Sequence, residues 1–249
     1  MIKFFRHIRK DLMKKNKIGK YFKYAIGEIV LVVIGILIAL SINNWNTKRL
    51  EKNRAESFIM KMRTQVKANI VNTEKNLQKF KSHLKITENL ISIIGNEKTI
   101  DIDEKIDSLV SVNLYDFHLN LNLNVLVEGK ENGDLSIITS DSLRQSIYQL
   151  STYYNTIIER ERIANQDLQI LFNPYLNKNY NYRNGLFNFW GQNIQQGKSK
   201  IYKGDNWKIL EDQEFENHIF VRMDYNKDLI NSYTELHKIL TTTHGLLKI

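Results

Sequence analysis

From Ala25 to Ile42 the chain reads AIGEIVLVVIGILIALSI, eighteen residues whose single charge is Glu28. At about 1.5 Å per residue this is roughly 27 Å of helix, the thickness of a bilayer's hydrocarbon core. A water-soluble fold would have to cover such a run on every side, which an amphipathic core helix does not require. Residues 25–42 are therefore read as a transmembrane helix. A cleaved signal peptide is the rival reading, because Ala39, Leu40 and Ser41 loosely resemble a small-residue cleavage site. The basic region ahead of the run is long and the run exceeds the usual apolar core of a signal, so a retained anchor fits better.

A net charge of +9 on 249 residues would suggest a nucleic-acid binder if it were spread over a domain. It is concentrated instead: residues 1–23 hold nine Lys or Arg against Asp11 alone, and the remainder is about neutral. Positive flanks stay on the cytoplasmic side of a membrane. The charge thus reads as topology: residues 1–24 a basic cytoplasmic tail, residues 43–249 a periplasmic domain, and the whole a single-pass inner-membrane protein. Membrane lipids are the expected partner and nucleic acid is not. Lys48, Arg49, Lys52 and Arg54 follow the span and reduce the asymmetry.

Tyr24 at the near interface and Trp45 at the far one suit the headgroup level, as do Tyr21 and Phe22. Glu28 lies within about one turn of the cytoplasmic end, where its carboxylate reaches the headgroups or meets Lys20, Lys23 or Tyr24. Anchoring is the expected role, ahead of chemistry. Gly35 and Ala39 form a small-xxx-small pair of the kind that lets two helices approach, which leaves a homo-oligomer open. Ile2, Phe5, Ile8 and Leu12 recur at helical spacing among basic residues, the pattern of a short helix lying on an anionic leaflet.

Beyond the span three apolar stripes have steps of three and four. The first runs Ile59, Met62, Val66, Ile70, Thr73, Leu77, Phe80, Leu84, Thr87, Ile91 and Ile94, and predicts one long helix broken near Gly95 and Asn96. The second runs Leu143, Ile147, Leu150, Tyr154, Ile157, Glu161, Ala164, Leu168 and Leu171, with one charged interruption. Ser142 with Gln145 forms a capping-box pattern at its start, Ser140 competes as the cap, and Asn173 before Pro174 is the expected stop. The third carries Phe215, Ile219, Leu229, Tyr233, Leu236, Leu240 and Leu247, with Arg222 and Asn226 where apolar residues would fit. The expected fold class is all-α: a transmembrane helix followed by an antiparallel helical bundle or coiled-coil hairpin. Asp103–Val112 suits a short helix. Leu119 to Val127 alternates Leu or Val with Asn in a two-residue period suited to a strand, and a helical turn is the alternative. Asn173 to Asp212, with Trp190 and Trp207, reads as a long loop with short elements and a candidate contact surface.

The chain has no cysteine, which removes disulfides, thiolate metal sites and cysteine nucleophiles. No glycine-rich phosphate loop, G-x-S-x-G elbow or H-E-x-x-H pattern occurs. His237 and His244 lie seven apart, where metal ligands on a helix would lie three or four apart. Glu159 and Glu161 fall on different sides of a helix and read, with Arg160 and Arg162, as solvated ion pairs. Tyr153, Tyr154, Tyr175, Tyr180 and Tyr182 read as core and interface residues in place of a ligand groove. No cofactor, metal or catalytic residue is expected.

The opening block, and especially the run from Gly19 through Trp45 with Gly27, Glu28 and the closing Asn43, Asn44 and Trp45, resembles the N-terminus of an uncharacterised family of bacteroidete single-pass membrane proteins. Ser41 stands where glutamine is common in that family. A looser resemblance extends over Leu126 to Tyr154, where Leu135, Ile137, Leu143 and Arg144 precede a tyrosine-rich helix, although the segment from Gly129 to Gly133 is longer than the family's short turn. The resemblance implies single-pass topology and a bacterial envelope location, and no activity. The leading expectation is a non-enzymatic envelope protein that binds an envelope partner or itself. A ligand sensor signalling through the membrane helix and an unrecognised envelope enzyme are the alternatives.

Overall fold

The computed structural model describes residues 18–97, 100–185, 199–202 and 204–248. The basic positions before Ile18, the expected surface helix over Ile2, Phe5, Ile8 and Leu12, and Trp190 lie outside them, as do the side chains of Lys20 and Tyr21. Among the described residues every regular element is helical and none is a strand. In chain order the elements are α1 (Ile18–Ile93), α2 (Ile100–Val112), α3 (Asn124–Glu131), α4 (Asp141–Asp167), a π segment (Leu168–Phe172), α5 (Asn173–Asn179), a 3-10 segment (Asn206–Glu211) and α6 (Gln213–Leu246). The chain divides into two compact units, Met1–Ser57 and Phe58–Ile249.

In the first unit α1 contains one helical segment long and apolar enough to cross a membrane. Every residue from Ile29 to Ile42 is exposed, so this apolar surface has no cover among the described residues. Past the apolar run the helix is supported locally: the Arg49 guanidinium lies 5.3 Å from the Trp45 ring centroid, and Lys52 meets Glu56 at 3.8 Å.

The second unit buries the three stripes against one another. Met62, Val66 and Phe80 of α1 join Leu143, Ile147, Leu150 and Ile157 of α4 and Leu229, Tyr233, Leu236 and Leu240 of α6 in one core. A second core gathers Leu90, Ile106 and Val110 with Leu168, Phe172, Leu176, Leu210, Phe215 and Ile219. Cross-helix pairs fix the direction of packing. Ser146 meets Thr243 (2.7 Å), Glu161 meets Tyr233 (2.6 Å) and the Ala164 carbonyl meets Arg222 (2.9 Å), so ascending positions on α4 face descending positions on α6. α1 ends near the expected break, where Gly95 adopts φ +76° and donates its N–H to the Leu210 carbonyl at 3.0 Å.

Of the two competing caps of α4, Ser140 serves, its hydroxyl accepting from the Leu143 N–H. Two expectations at the other end of α4 need correction. Leu171 is 53% exposed, because the π segment shifts the register and delivers Phe172 to the core in its place. Pro174 does not stop the helical path: it occupies the first turn of α5. The Asn173–Asp212 region thus begins as helix and ends in a 3-10 turn, with residues 186–198 outside the described set.

Candidate functional site

Between α2 and α3 the chain runs extended, and its side chains alternate as a strand's would. Phe117 and Leu119 are buried, Leu121 and Leu123 half-buried, while His118, Asn120 and Asn122 are exposed. The two-residue period was legible, but among the described residues no strand neighbours it. A buried extended backbone still needs partners for its N–H and C=O groups, and helix side chains supply them. Asn165 accepts from the Phe117 N–H at 2.8 Å and donates to its carbonyl at 2.9 Å. Asn69 treats Asn122 the same way, at 3.0 and 2.7 Å. Each carboxamide acts as the peptide group of an absent strand. Between them the Glu161 carboxylate accepts from the Leu119 N–H at 2.8 Å. The Tyr154 hydroxyl donates to the Leu119 carbonyl at 3.1 Å and accepts from the Leu121 N–H at 3.2 Å. Asn72 donates to the Asn120 carbonyl at 2.6 Å.

The odd-numbered residues are thus held by α4 and the even-numbered ones by α1. Tyr154, Glu161 and Asn165 share a helix face at steps of seven and four, and Asn69 and Asn72 share one at a step of three. Leu119 to Val127 does not form one element: residues 119–123 lie outside regular structure and 124–131 are helix α3.

Glu161 is the centre of this clamp. It is 6% exposed, and its carboxylate also accepts from the Tyr233 hydroxyl at 2.6 Å, with His118 Nδ1 4.0 Å away. Burial pushes its carboxyl pKa up, opposed by the hydrogen bonds from Tyr233 and Leu119. Burial beside this carboxylate likewise pushes the Tyr233 hydroxyl well above its ordinary range. Glu161 therefore departs from the solvated ion pair expected of it, whereas Glu159 and Arg162 form an exposed pair at 2.7 Å. Arg160 reaches Asp228 across to α6.

Arg222 closes the clamp from the other side. At 2% exposure it donates to the carbonyls of Ala164 (2.9 Å) and Tyr115 (2.8 Å), and its guanidinium lies 4.4 Å from the Phe117 ring centroid. Burial lowers its pKa to about 10, with Asp167 and Asp116 opposing. Asn226, one turn on, donates to the Phe80 carbonyl at 3.2 Å. A second buried knot lies in the other core. Asp107 accepts from the Tyr180 hydroxyl at 2.5 Å and from Asn206 at 3.0 Å, and Asn206 accepts from the Asn181 N–H at 2.8 Å. Burial next to Asp107 pushes the Tyr180 hydroxyl up.

These networks hold backbone and each other, and they leave Arg222 Nε and Asn226 Oδ1 buried without a hydrogen-bond partner among the described residues. Among the described residues no group of three or more His, Asp or Glu is placed to hold a metal ion. His237 pairs with Glu74 at 3.0 Å.

The residues read from sequence as the anchor, Tyr24, Glu28, Gly35, Ala39 and Trp45, all lie on α1 within the first unit. Tyr24 and Trp45 are 51% and 63% exposed, a Cβ on Gly35 would meet nothing within 4 Å, and Glu28 is half-buried. Lys23, Tyr24, Gly27, Glu28 and Leu31 line a shallow depression. The clamp residues were missed as a group, and only some left a trace: Glu161, Arg222 and Asn226 were the polar misfits of otherwise apolar stripes, while Asn69, Asn72 and Asn165 gave no signal.

No curated protein and no solved structure matches the chain. A model described as "Family of unknown function (DUF6090)" matches residues 28–182, from within the apolar run of α1 through the extended segment, α4 and α5. The chain belongs to that family.

Proposed function

We propose that the protein is a membrane-anchored envelope protein whose second unit is a protein-interaction module. In this reading residues 25–42 cross the inner membrane once, with the basic N-terminus cytoplasmic and residues 43–249 periplasmic. The carrying observation is the uncovered apolar surface of α1: every residue from Ile29 to Ile42 is exposed, and lipid is the medium that accepts such a surface. The reversed pairing of α4 with α6 supports an antiparallel bundle. Asn165, Glu161 and Asn69 spend their polar atoms on the backbone of the extended segment, which supports a binding scaffold over an enzyme.

The test is in vivo crosslinking from single cysteines, each the sole thiol in its chain. Asn69 and Asn165 are unsuitable positions because they hold the extended segment; Val71, Lys81, Glu159 and Ile163 are exposed and leave it intact. Labelling by an impermeant thiol reagent from the periplasmic side, with a discrete crosslinked protein, is the expected result. Labelling from the cytoplasm would overturn the topology, and labelling without any crosslink would overturn the interaction role. A sensor that relays ligand binding inward is the second reading, favoured by one unbroken helix from Ile18 to Ile93. A periplasmic metabolite that raises the thermal midpoint would select it.

A further inference from the structure

Charge in the second unit is sorted by element. From Phe58 to Ile93, α1 carries Lys61, Arg63, Lys67, Lys75, Lys79, Lys81 and Lys85 against Glu74 and Glu88, a net of +5. Residues 94–249 hold 16 Lys or Arg against 21 Asp or Glu, a net of −5. Both carboxylates of the α1 stretch are taken by α6: Glu74 meets His237 at 3.0 Å and Glu88 meets Lys227 at 3.5 Å. Lys79 lies 5.9 Å from the Tyr115 ring centroid. The other six cations are exposed, and none makes an ion pair among the described residues.

Their placement is directional. Lys67, Val71, Lys75, Gln78, Ser82 and Lys85 follow one another at steps of four, four, three, four and three, so they share the helix face opposite Met62, Thr73 and Phe80. Met60 and Val71, each 60% exposed, lie along that same face, and Lys81, exposed and four residues before Lys85, borders it. A solvated helix face ordinarily mixes both signs, each offsetting the other at steps of three or four. Here one sign is left over for about 27 Å of helix axis, with Val71 set among the cations and Met60 just ahead of them.

We propose that this face of α1 is the docking surface of the interaction module, and that its partner is a protein presenting an acidic, amphipathic helix. This rests on the interaction reading given above. The match is one of charge and shape: carboxylates at steps of three or four would meet Lys67, Lys75, Lys81 and Lys85, while a small apolar strip would cover Met60 and Val71. Exposed pairs contribute little singly, so affinity would come from their number and would fall with salt.

The test uses the full chain in nanodiscs of neutral lipid and poly-L-glutamate of about fifty residues as the probe, read by calorimetry at low and physiological salt. The expected result is binding that weakens with salt and falls about tenfold when Lys67, Lys75, Lys81 and Lys85 are all changed to Gln. A charge-matched control, with Lys105, Lys178, Lys208 and Lys248 changed to Gln, is expected to stay within about twofold. Equal loss in both variants would mean attraction by net charge alone and overturn the proposal. So would tighter binding of dextran sulfate than of poly-L-glutamate, which marks a general polyanion site, or concentration-dependent self-association abolished by the α1 variant, which marks a second copy as occupant. The two readings fail separately. Crosslinks from Glu159→Cys or Ile163→Cys with none from Val71→Cys or Lys81→Cys would keep the interaction module and reject this face.

Discussion

Replacing Glu161 by alanine and by glutamine separates what its oxygen does from what its charge does. Alanine leaves two buried donors without an acceptor, the Leu119 N–H and the hydroxyl of the fully buried Tyr233. An orphaned buried donor costs about 1–3 kcal/mol, so Glu161→Ala is expected to remove about 2–5 kcal/mol from a stability of typically about 5–15 kcal/mol. Glutamine keeps an acceptor oxygen in the same place and loses only the charge. Because burial raises the carboxyl pKa of the folded protein above its ordinary 4.5, the folded state holds that proton to higher pH than the unfolded chain does. The associated stability is therefore complete below the ordinary value and is lost as pH rises through the raised one. Glu161→Gln has no such proton, so its stability should be flat across that window and stay within about 1 kcal/mol of the wild type at neutral pH. Urea unfolding of the full chain in detergent, followed by near-ultraviolet circular dichroism at pH 4 and pH 7.5, measures both. Equal losses for the two variants at pH 7.5 would refute the reasoning, since the charge and not the acceptor would then hold the segment.

Three further outcomes follow from the packing. Ser140→Ala should cost about 1 kcal/mol by removing the α4 cap while Ser142→Ala costs a few tenths, a difference readable in the same unfolding assay. Gly129→Ala puts a Cβ 2.1 Å from a ring carbon of the buried Phe58, so a loss of about 1–3 kcal/mol is expected, partly recovered by adding Phe58→Leu. Tyr180→Phe leaves Asp107 with one fewer donor, which should cost about 1–3 kcal/mol and speed hydrogen exchange at Asn181 and Asn206; unchanged exchange would show that the knot is not cooperative.

The three long helices were legible because their cores are periodic: Met62, Val66 and Phe80, or Leu229, Tyr233, Leu236 and Leu240, obey a step that any helix imposes on a buried face. What escaped was set by tertiary partners that have no local period. Glu161 looked like a solvated interruption because its two donors, Leu119 and Tyr233, lie 42 and 72 residues away. The π segment that exchanges Leu171 for Phe172 is one residue of added register, and no composition signal marks it. Pro174 misled because the residue before a proline usually ends a helix, whereas here the helical path resumes through it. The extended segment was half legible. Its Leu–Asn alternation announced an extended chain, but recognising which Asn, Glu and Tyr on other helices would replace a neighbouring strand needed the assembled fold.

That replacement makes the segment count its residues in twos. Positions 117, 119 and 121 are addressed from α4 and positions 120 and 122 from α1. Losing or gaining one residue there would hand each helix the other's positions and turn every leucine to the outside at once. A change of two would restore the parity and cost only the slack at either end. Length variation between Phe117 and Asn122 among related chains should therefore be by even numbers, if it occurs at all, whatever the side chains around it become.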